Sequence, residues 1–317
     1  MDIFEAKGIK PMLISEQLEP YDDPDSIFEL KLDGIRCIAY CDDSTDLRNK
    51  RDMKLLPRFP ELKDIHNNCK VKCILDGELI VVCNGVPDFY ELQKRTLLSD
   101  LFKIQLSSSK LPASFVAYDI LYHRDKEVTG LALLERKRLL AEVVDESERI
   151  SVSRYVETNG IMLFELAKEQ QLEGIVGKKK DSLYWFDKRT KDWIKCKLMS
   201  TDDCVVCGYI VKDNNMISLV LGQYNDEGKL VYRGHVTMGV SLRLLNQQNY
   251  KVIDYSPFGY IPKGNEEAIW LEPNLVCIVE SMKNDKESFR QPVLKGFRDD
   301  KAPRECTIQL ISTVQYR

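Results

Sequence analysis

A single lysine, Lys31, stands between Glu29 and Asp33 in the run ELKLDGIR, with Arg36 closing it. A lysine among acids is commonly a solvated patch, and Asp-Gly is a common hairpin turn. The stretch therefore gains chemical meaning only from partners elsewhere. Four later stretches offer them: DGELIV with Glu78, EGIVGKKK with Glu173 and lysines 178 to 180, DWIKCKL, and RQPVLKGFRDDK with Arg290, Arg298, Asp300 and Lys301. Lys195 and Lys197 are two apart, so on a strand they share a face. Taken singly these are a hairpin acid, a charge run, the wet face of a strand and surface cations. Taken together they suit a nucleophilic lysine. Exposing a neutral lysine amine at pH 7 costs about 4 kcal/mol, and burial or nearby positive charge lowers that cost.

Such residues need elements to position them. The chain has 317 residues, 44% of them hydrophobic, enough for two ordinary domains. Its net charge of -4 excludes a basic nucleic-acid wrapper, so any nucleic-acid contact must use local patches. MDIFEAKGIKPM lacks the apolar core of a secretory signal, and no run approaches a membrane span. The ten cysteines are expected to be reduced thiols in a cytoplasmic chain. One CxxC occurs, Cys204 and Cys207, but in a strand-like stretch and with no second pair, so a structural zinc is not expected there.

IRCIAYC, KCILDGELIVV and SFVAYDILY read as strands, and LERKRLLAEVV and GIMLFELAKEQ as amphipathic helices. From Asp203 the texture becomes a succession of strands: DCVVCGYIVK, MISLVLGQY, KLVYRGHVTM, AIWLEPNLVCIVESM and ECTIQLISTVQY. The turns KDNN and NDEG separate the first of them, and one helix candidate, SLRLLNQQNY, interrupts the series. The fold class expected is α+β: a mixed domain of sheets and helices over residues 1–198, then a small β-barrel of the OB type over 199–317.

The ordered stretches resemble the nucleotidyltransferases that act through a covalent lysyl-nucleotide, and among them the ATP-dependent DNA ligases. KLDGIR is similar to motif I, whose lysine becomes adenylated. Arg48 in LRNKR resembles the next motif, although Ser-Arg-Asn-Gly is commoner there. Asp76 to Glu78 resembles motif III, and AYDILY resembles motif IIIa, with Tyr118 where phenylalanine is commoner. EGIV at Glu173 and WIKCK at 193–197 resemble motifs IV and V, and RQPVLKGFRDDK resembles motif VI. DFYELQKR and IWLEPNLVCIVE further resemble the ligase domain of microbial end-joining ligases.

That resemblance implies a nucleotidyltransferase (adenylation) domain followed by the OB domain, acting on nicked duplex DNA with ATP and Mg2+ or Mn2+. Lys31 would attack the α-phosphate, with Lys195 and Lys197 holding its oxygens and Lys178 a further candidate for phosphate contact. Glu173 would hold the metal, with Asp33 orienting Lys31 or the metal's waters. Glu78 would accept from ribose hydroxyls, Tyr118 would stack on adenine, and Glu29 would accept from the adenine 6-amino group. Arg36 and Arg48 would bind nucleotide and then the nick phosphate. Arg298, Asp300 and Lys301 would assist pyrophosphate departure, with residues 198–203 as a hinge. A Ku-type end-binding protein and a separate repair polymerase are the partners implied, with a monomer acting at the nucleoid and no membrane contact. An RNA ligase or capping-type nucleotidyltransferase is an alternative, as is a non-catalytic OB-containing scaffold that binds nucleic acid. ELK and FRDDK favour the ATP-using DNA enzyme.

Overall fold

Residues 2–17, 19–212, 216–282 and 288–308 are described by a computed structural model. The chain divides into two compact units, Met1–Lys197 and Leu198–Arg317. Unit 1 threads α1 (Ile3–Ala6), β1 (Leu13–Gln17), β2 (Asp23–Leu30), β3 (Ile35–Cys41), β4 (Thr45–Asn49), β5 (Cys73–Cys83) and β6 (Val86–Pro87). It continues through α2 (Phe89–Thr96), α3 (Leu101–Lys110), β7 (Ala113–His123), β8 (Lys126–Glu127), α4 (Leu133–Val143), β9 (Ile150–Val152), β10 (Tyr155–Thr158), α5 (Gly160–Glu169), β11 (Gly174–Lys179) and β12 (Arg189–Lys197).

These strands form two sheets, one in the order β1-β12-β11-β2-β10 and one running β4-β3-β5-β7-β8, with β6 on β5 and β9 on β7. An apolar cluster joins them, with Ile27 and Trp193 from the first sheet meeting Ile38, Tyr40 and Ile74 from the second. Asp33 and Gly34 are not a hairpin: β2 and β3 belong to different sheets, and this short link carries the chain across. Nor is Asp76-Gly77 a turn. Both lie inside β5, where a Cβ on Gly77 would come within 2.5 Å of the Phe115 ring and the Val116 carbonyl. Glycine is there because the neighbouring strand leaves no space for a side chain.

The second sheet also packs against α4, whose Leu140 and Val143 join one apolar cluster and whose Leu133 joins the cluster between the sheets. Arg136 of α4 is fully buried, and its guanidinium grips Asp119 of β7 in two bonds of 2.8 and 2.9 Å. It also donates to the carbonyls of Leu131 and Ser182. A buried charge pair persists only when its hydrogen bonds are met in this way.

Unit 2 contains β13 (Met199–Val211), β14 (Ile217–Tyr224), β15 (Leu230–Val236), α6 (Leu242–Leu245), β16 (Val252–Ile253), β17 (Ile269–Met282) and β18 (Arg290–Arg298). Its sheet runs β15-β14-β13-β17-β16, with β18 on β17. The sheet curls until Met238, just past β15, bridges Val293 of β18. Every residue of β14 is buried, as a strand covered on both faces must be. SLRLLNQQNY supplies only the single turn α6. The KDNN turn lies mostly outside the described residues, as does most of ECTIQLISTVQY. The hinge expected at 198–203 is corrected: Met199 to Asp203 already pair in β13 with Met282 to Ile278, leaving Leu198 alone between β12 and β13. Cys204 and Cys207 enter two different apolar clusters. Among the described residues no helix is long and apolar enough to cross a membrane.

Candidate active site

Strand register brings the chemical residues together. In the first sheet Glu29 pairs with Val176, and Val176 with Lys195. One row along, Ile27 pairs with Lys178, and Lys178 with Trp193. Two residues the other way, the Lys31 amide donates to the Gly174 carbonyl at 2.8 Å, and Gly174 pairs with Lys197. Rows two residues apart point to the same face. Motifs I, IV and V, distant in sequence, thus project from one face of three adjacent strands.

That face forms part of a cavity of about 480 Å³. Seven of the expected site residues line it: Glu29, Lys31, Arg36, Glu78, Tyr118, Lys178 and Lys195. Arg36, Glu78 and Tyr118 come from the second sheet, so the two sheets provide opposite walls. Lys50, two residues past the expected Arg48, also lines it.

At one end, Lys31 Nζ donates to Glu173 Oε2 at 2.6 Å. Both side chains are largely shielded, at 20% and 8% exposure. Lys195 and Lys197 share one carboxylate, Glu16 of β1, at 3.1 and 3.6 Å. Burial, and then the neighbouring Lys195, hold the Lys197 amine below its ordinary range. Burial works to raise Glu16, but the two lysines outweigh it and keep its carboxyl low. Glu16 is placed by the parallel register of β1 on β12, which sets it opposite Lys195.

At the other end, Lys178 is buried beside Glu29, with its amine 2.9 Å from Glu29 Oε2. It also lies over the rings of Trp193, at 4.3 Å, and Tyr118, at 4.6 Å. Sequence reasoning grouped Lys178 with the phosphate lysines, but the register sets it by the residues expected at the base. Burial pulls its amine down to about 8. Glu29 is also ion-paired with Lys137 of α4 and accepts from Ser153 Oγ at 3.2 Å. Burial pushes Glu29 up, but Lys137 and Lys178 more than reverse it. Lys137 carried no sequence signal beyond its place in an amphipathic helix.

Between these ends, burial raises Glu78 to about 8 against the pull of Lys31 and Arg36. Burial also raises the Tyr118 hydroxyl well above its ordinary range. Arg36 bonds Asp76 at 3.0 and 2.6 Å and the Met12 carbonyl, while Tyr184 braces Asp76 at 2.7 Å. Arg48 is turned toward Asp46 and Asp52, each at 2.9 Å. Asp33 stands two residues beyond Lys31 in the link between the sheets. In unit 2, Arg298 bonds both oxygens of Asp203 at 3.0 Å and also pairs with Asp300, and Lys301 reaches Asp203 at 2.6 Å. Asp203 is the shared anchor that the motif did not announce.

Two family models match the chain: "ATP dependent DNA ligase domain" over residues 6–197 and "ATP dependent DNA ligase C terminal region" over 212–301. Among curated relatives, the SPbeta prophage-derived DNA ligase-like protein LigB of Bacillus subtilis is 27% identical, covering 92% of this chain and 99% of that protein. The multifunctional non-homologous end joining protein LigD of Pseudomonas aeruginosa is 28% identical over 88% of this chain but 34% of its own length. Among solved structures, a mycobacterial DNA ligase D complexed with ATP and MES is similar with a TM-score of 0.56 and 24% identity, covering 95% of this chain and 98% of that one. At that identity the likeness concerns the fold.

Proposed function

The chain belongs to the ATP-dependent DNA ligase family, and from that premise we propose which residues carry each step. The enzyme uses ATP to seal nicks in duplex DNA through a covalent lysyl-AMP. The observation that carries the assignment is Lys31, held by Glu173 at the end of a cavity whose same wall presents Lys195.

The neutral Lys31 Nζ attacks the α-phosphorus of ATP, the N–P bond forms as the amine gives up a proton, and the bond from that phosphorus to the α,β-bridging oxygen breaks, so pyrophosphate leaves carrying that oxygen and its electron pair. Lys195 and Lys197 bind the α-phosphate oxygens and offset the charge that develops there. Until ATP arrives, Glu16 holds both amines in place. AMP then passes from Lys31 to the 5′-phosphate at the nick, and the 3′-hydroxyl displaces it to close the strand. Glu78 accepts from the ribose, Tyr118 stacks on adenine, and Arg36, fixed by Asp76, presents its edge to the nucleotide. Glu29 accepts from the adenine 6-amino group, and Lys178 steadies Glu29. Arg48 contacts the nick phosphate. Arg298, Asp300 and Lys301 assist pyrophosphate departure, so Arg298→Ala in the full chain should slow lysyl-AMP formation.

Glu173 offers hard carboxylate oxygen, and its shielded position beside Lys31 fits a divalent cation such as Mg2+ or Mn2+. Glu173 and Asp33 would hold it, and the cation would neutralise phosphate charge. The end-joining name of the Pseudomonas relative supports a role in double-strand break repair at the nucleoid, with a Ku-type protein and a separate polymerase as partners.

The test is label transfer. Protein stripped with pyrophosphate is incubated with α-labelled ATP and Mg2+ or Mn2+, then denatured. Label on the chain, absent in Lys31→Ala and absent with GTP, is expected. Absence of label under both metals would overturn the assignment, and transfer to nicked RNA in preference to nicked DNA would redirect it.

A further inference from the structure

Away from the ATP cavity, three cysteines converge. Cys41 ends β3 and Cys73 opens β5, and the two are cross-strand partners. Cys69 follows the short turn Ile65–Asn68 and stands four residues before Cys73. Their three sulfur atoms all lie within 4.8 Å of one another. Cys41 and Cys73 are buried, and Cys69 is partly exposed. None of the three lines the cavity that holds Lys31.

We propose that Cys41, Cys69 and Cys73 form a three-thiolate site for a soft divalent cation of the zinc class, tying the 65–73 segment to the sheet edge. A tetrahedral zinc with bonds of about 2.3 Å places its sulfurs about 3.8 Å apart. The sulfurs therefore need to close by about 1 Å at most. Two of them sit on adjacent strands of one sheet, so their spacing is set by β pairing. The third lies on a segment tied down on both sides of it, with the Asp145 amide donating to the Asn68 carbonyl, Cys69 bridging Val144 and Lys70 donating to the Val143 carbonyl. The partly exposed Cys69 leaves an approach for the ion and a fourth position for water. Soft sulfur ligands select zinc-class or cuprous ions over the hard Mg2+ and Mn2+ that serve the phosphate chemistry. The two metals would thus not compete for one site.

The plainer alternative is that the three are small apolar residues in the core, which Cys often is. A titration separates the two. The full chain, reduced and freed of metal with a chelator, is titrated with Cd2+ while the thiolate-to-metal band in the ultraviolet is followed. Saturation at one equivalent with a band intensity of three thiolates is expected, and Cd2+, the softer ion, should displace Zn2+ bound beforehand. Cys69→Ser should weaken binding by at least about tenfold while label transfer from ATP is kept, which shows that the variant is folded. In the unaltered chain, one equivalent of Zn2+ should slow alkylation of Cys69, read by peptide mass spectrometry. No band, a band unchanged in Cys69→Ser, or Cys69 alkylation indifferent to Zn2+ would each overturn the site.

Discussion

Glu78 and Lys178 reach one cavity from opposite sheets, and burial brings both to about 8 from opposite directions. Below that value Glu78 gains a proton and, in the ribose contact proposed for it, would be the weaker acceptor. Above it Lys178 loses the charge that steadies Glu29. Equilibrium binding of α,β-methylene ATP, which cannot be cleaved, should therefore peak near pH 8 and fall on both sides. Glu78→Gln should flatten the acid limb, and Lys178→Arg the alkaline limb. A profile that rises through pH 8 without turning in the unaltered chain would sink the assignment of Lys178. In stability the Glu78 shift has the sign opposite to a paired carboxylate. The folded state holds the proton, so this group's contribution is present below its unfolded value of about 4.5 and is lost as pH rises through about 8.

Gly174 opens β11 with φ at +137°, and a Cβ there would lie 2.1 Å from the Cys196 carbonyl. The same residue accepts the Lys31 amide and follows Glu173. Gly174→Ala must shift the strand that aligns Lys31, the proposed nucleophile, with Glu173, so it should cost about 2–4 kcal/mol in urea unfolding and slow label transfer at least about tenfold, since misplacement by 1 Å is enough. Arg136→Met tests an element without touching the cavity. It leaves Asp119 buried and unpaired, and should cost about 3–5 kcal/mol, while the protein that remains folded transfers label normally. Both effects follow from pairings that a single sequence shows unevenly. IRCIAYC, SFVAYDILY and the two long helices were legible because their periodicity is local. The α+β class and the barrel followed from their order. Asp76-Gly77 misled, because the strand packed against Gly77 is nearly forty residues away in sequence. Glu16 gave no signal because LISEQ is short and its partner strand lies more than 170 residues on. Lys137 gave none because a lysine in an amphipathic helix normally points to water.

At the scale of the whole molecule, a chain of net charge -4 must hold a polyanion. Long-range attraction is therefore weak, and the grip on DNA must come from local contacts between cations and phosphates. Such contacts release counterions, so affinity falls steeply with salt. With about four phosphates neutralised, binding should drop about a hundredfold between 50 and 200 mM salt. Lysyl-AMP formation should respond differently. Its cations act at short range inside the cavity, where screening by mobile ions is slight. Sealing of nicked duplex at subsaturating DNA and label transfer from ATP, measured side by side over that salt range, should therefore diverge, the first falling about a hundredfold and the second changing less than about threefold. A parallel fall would mean that salt acts on the fold or on the ATP cavity. Sealing that held steady would mean that the duplex is gripped by contacts other than its phosphates.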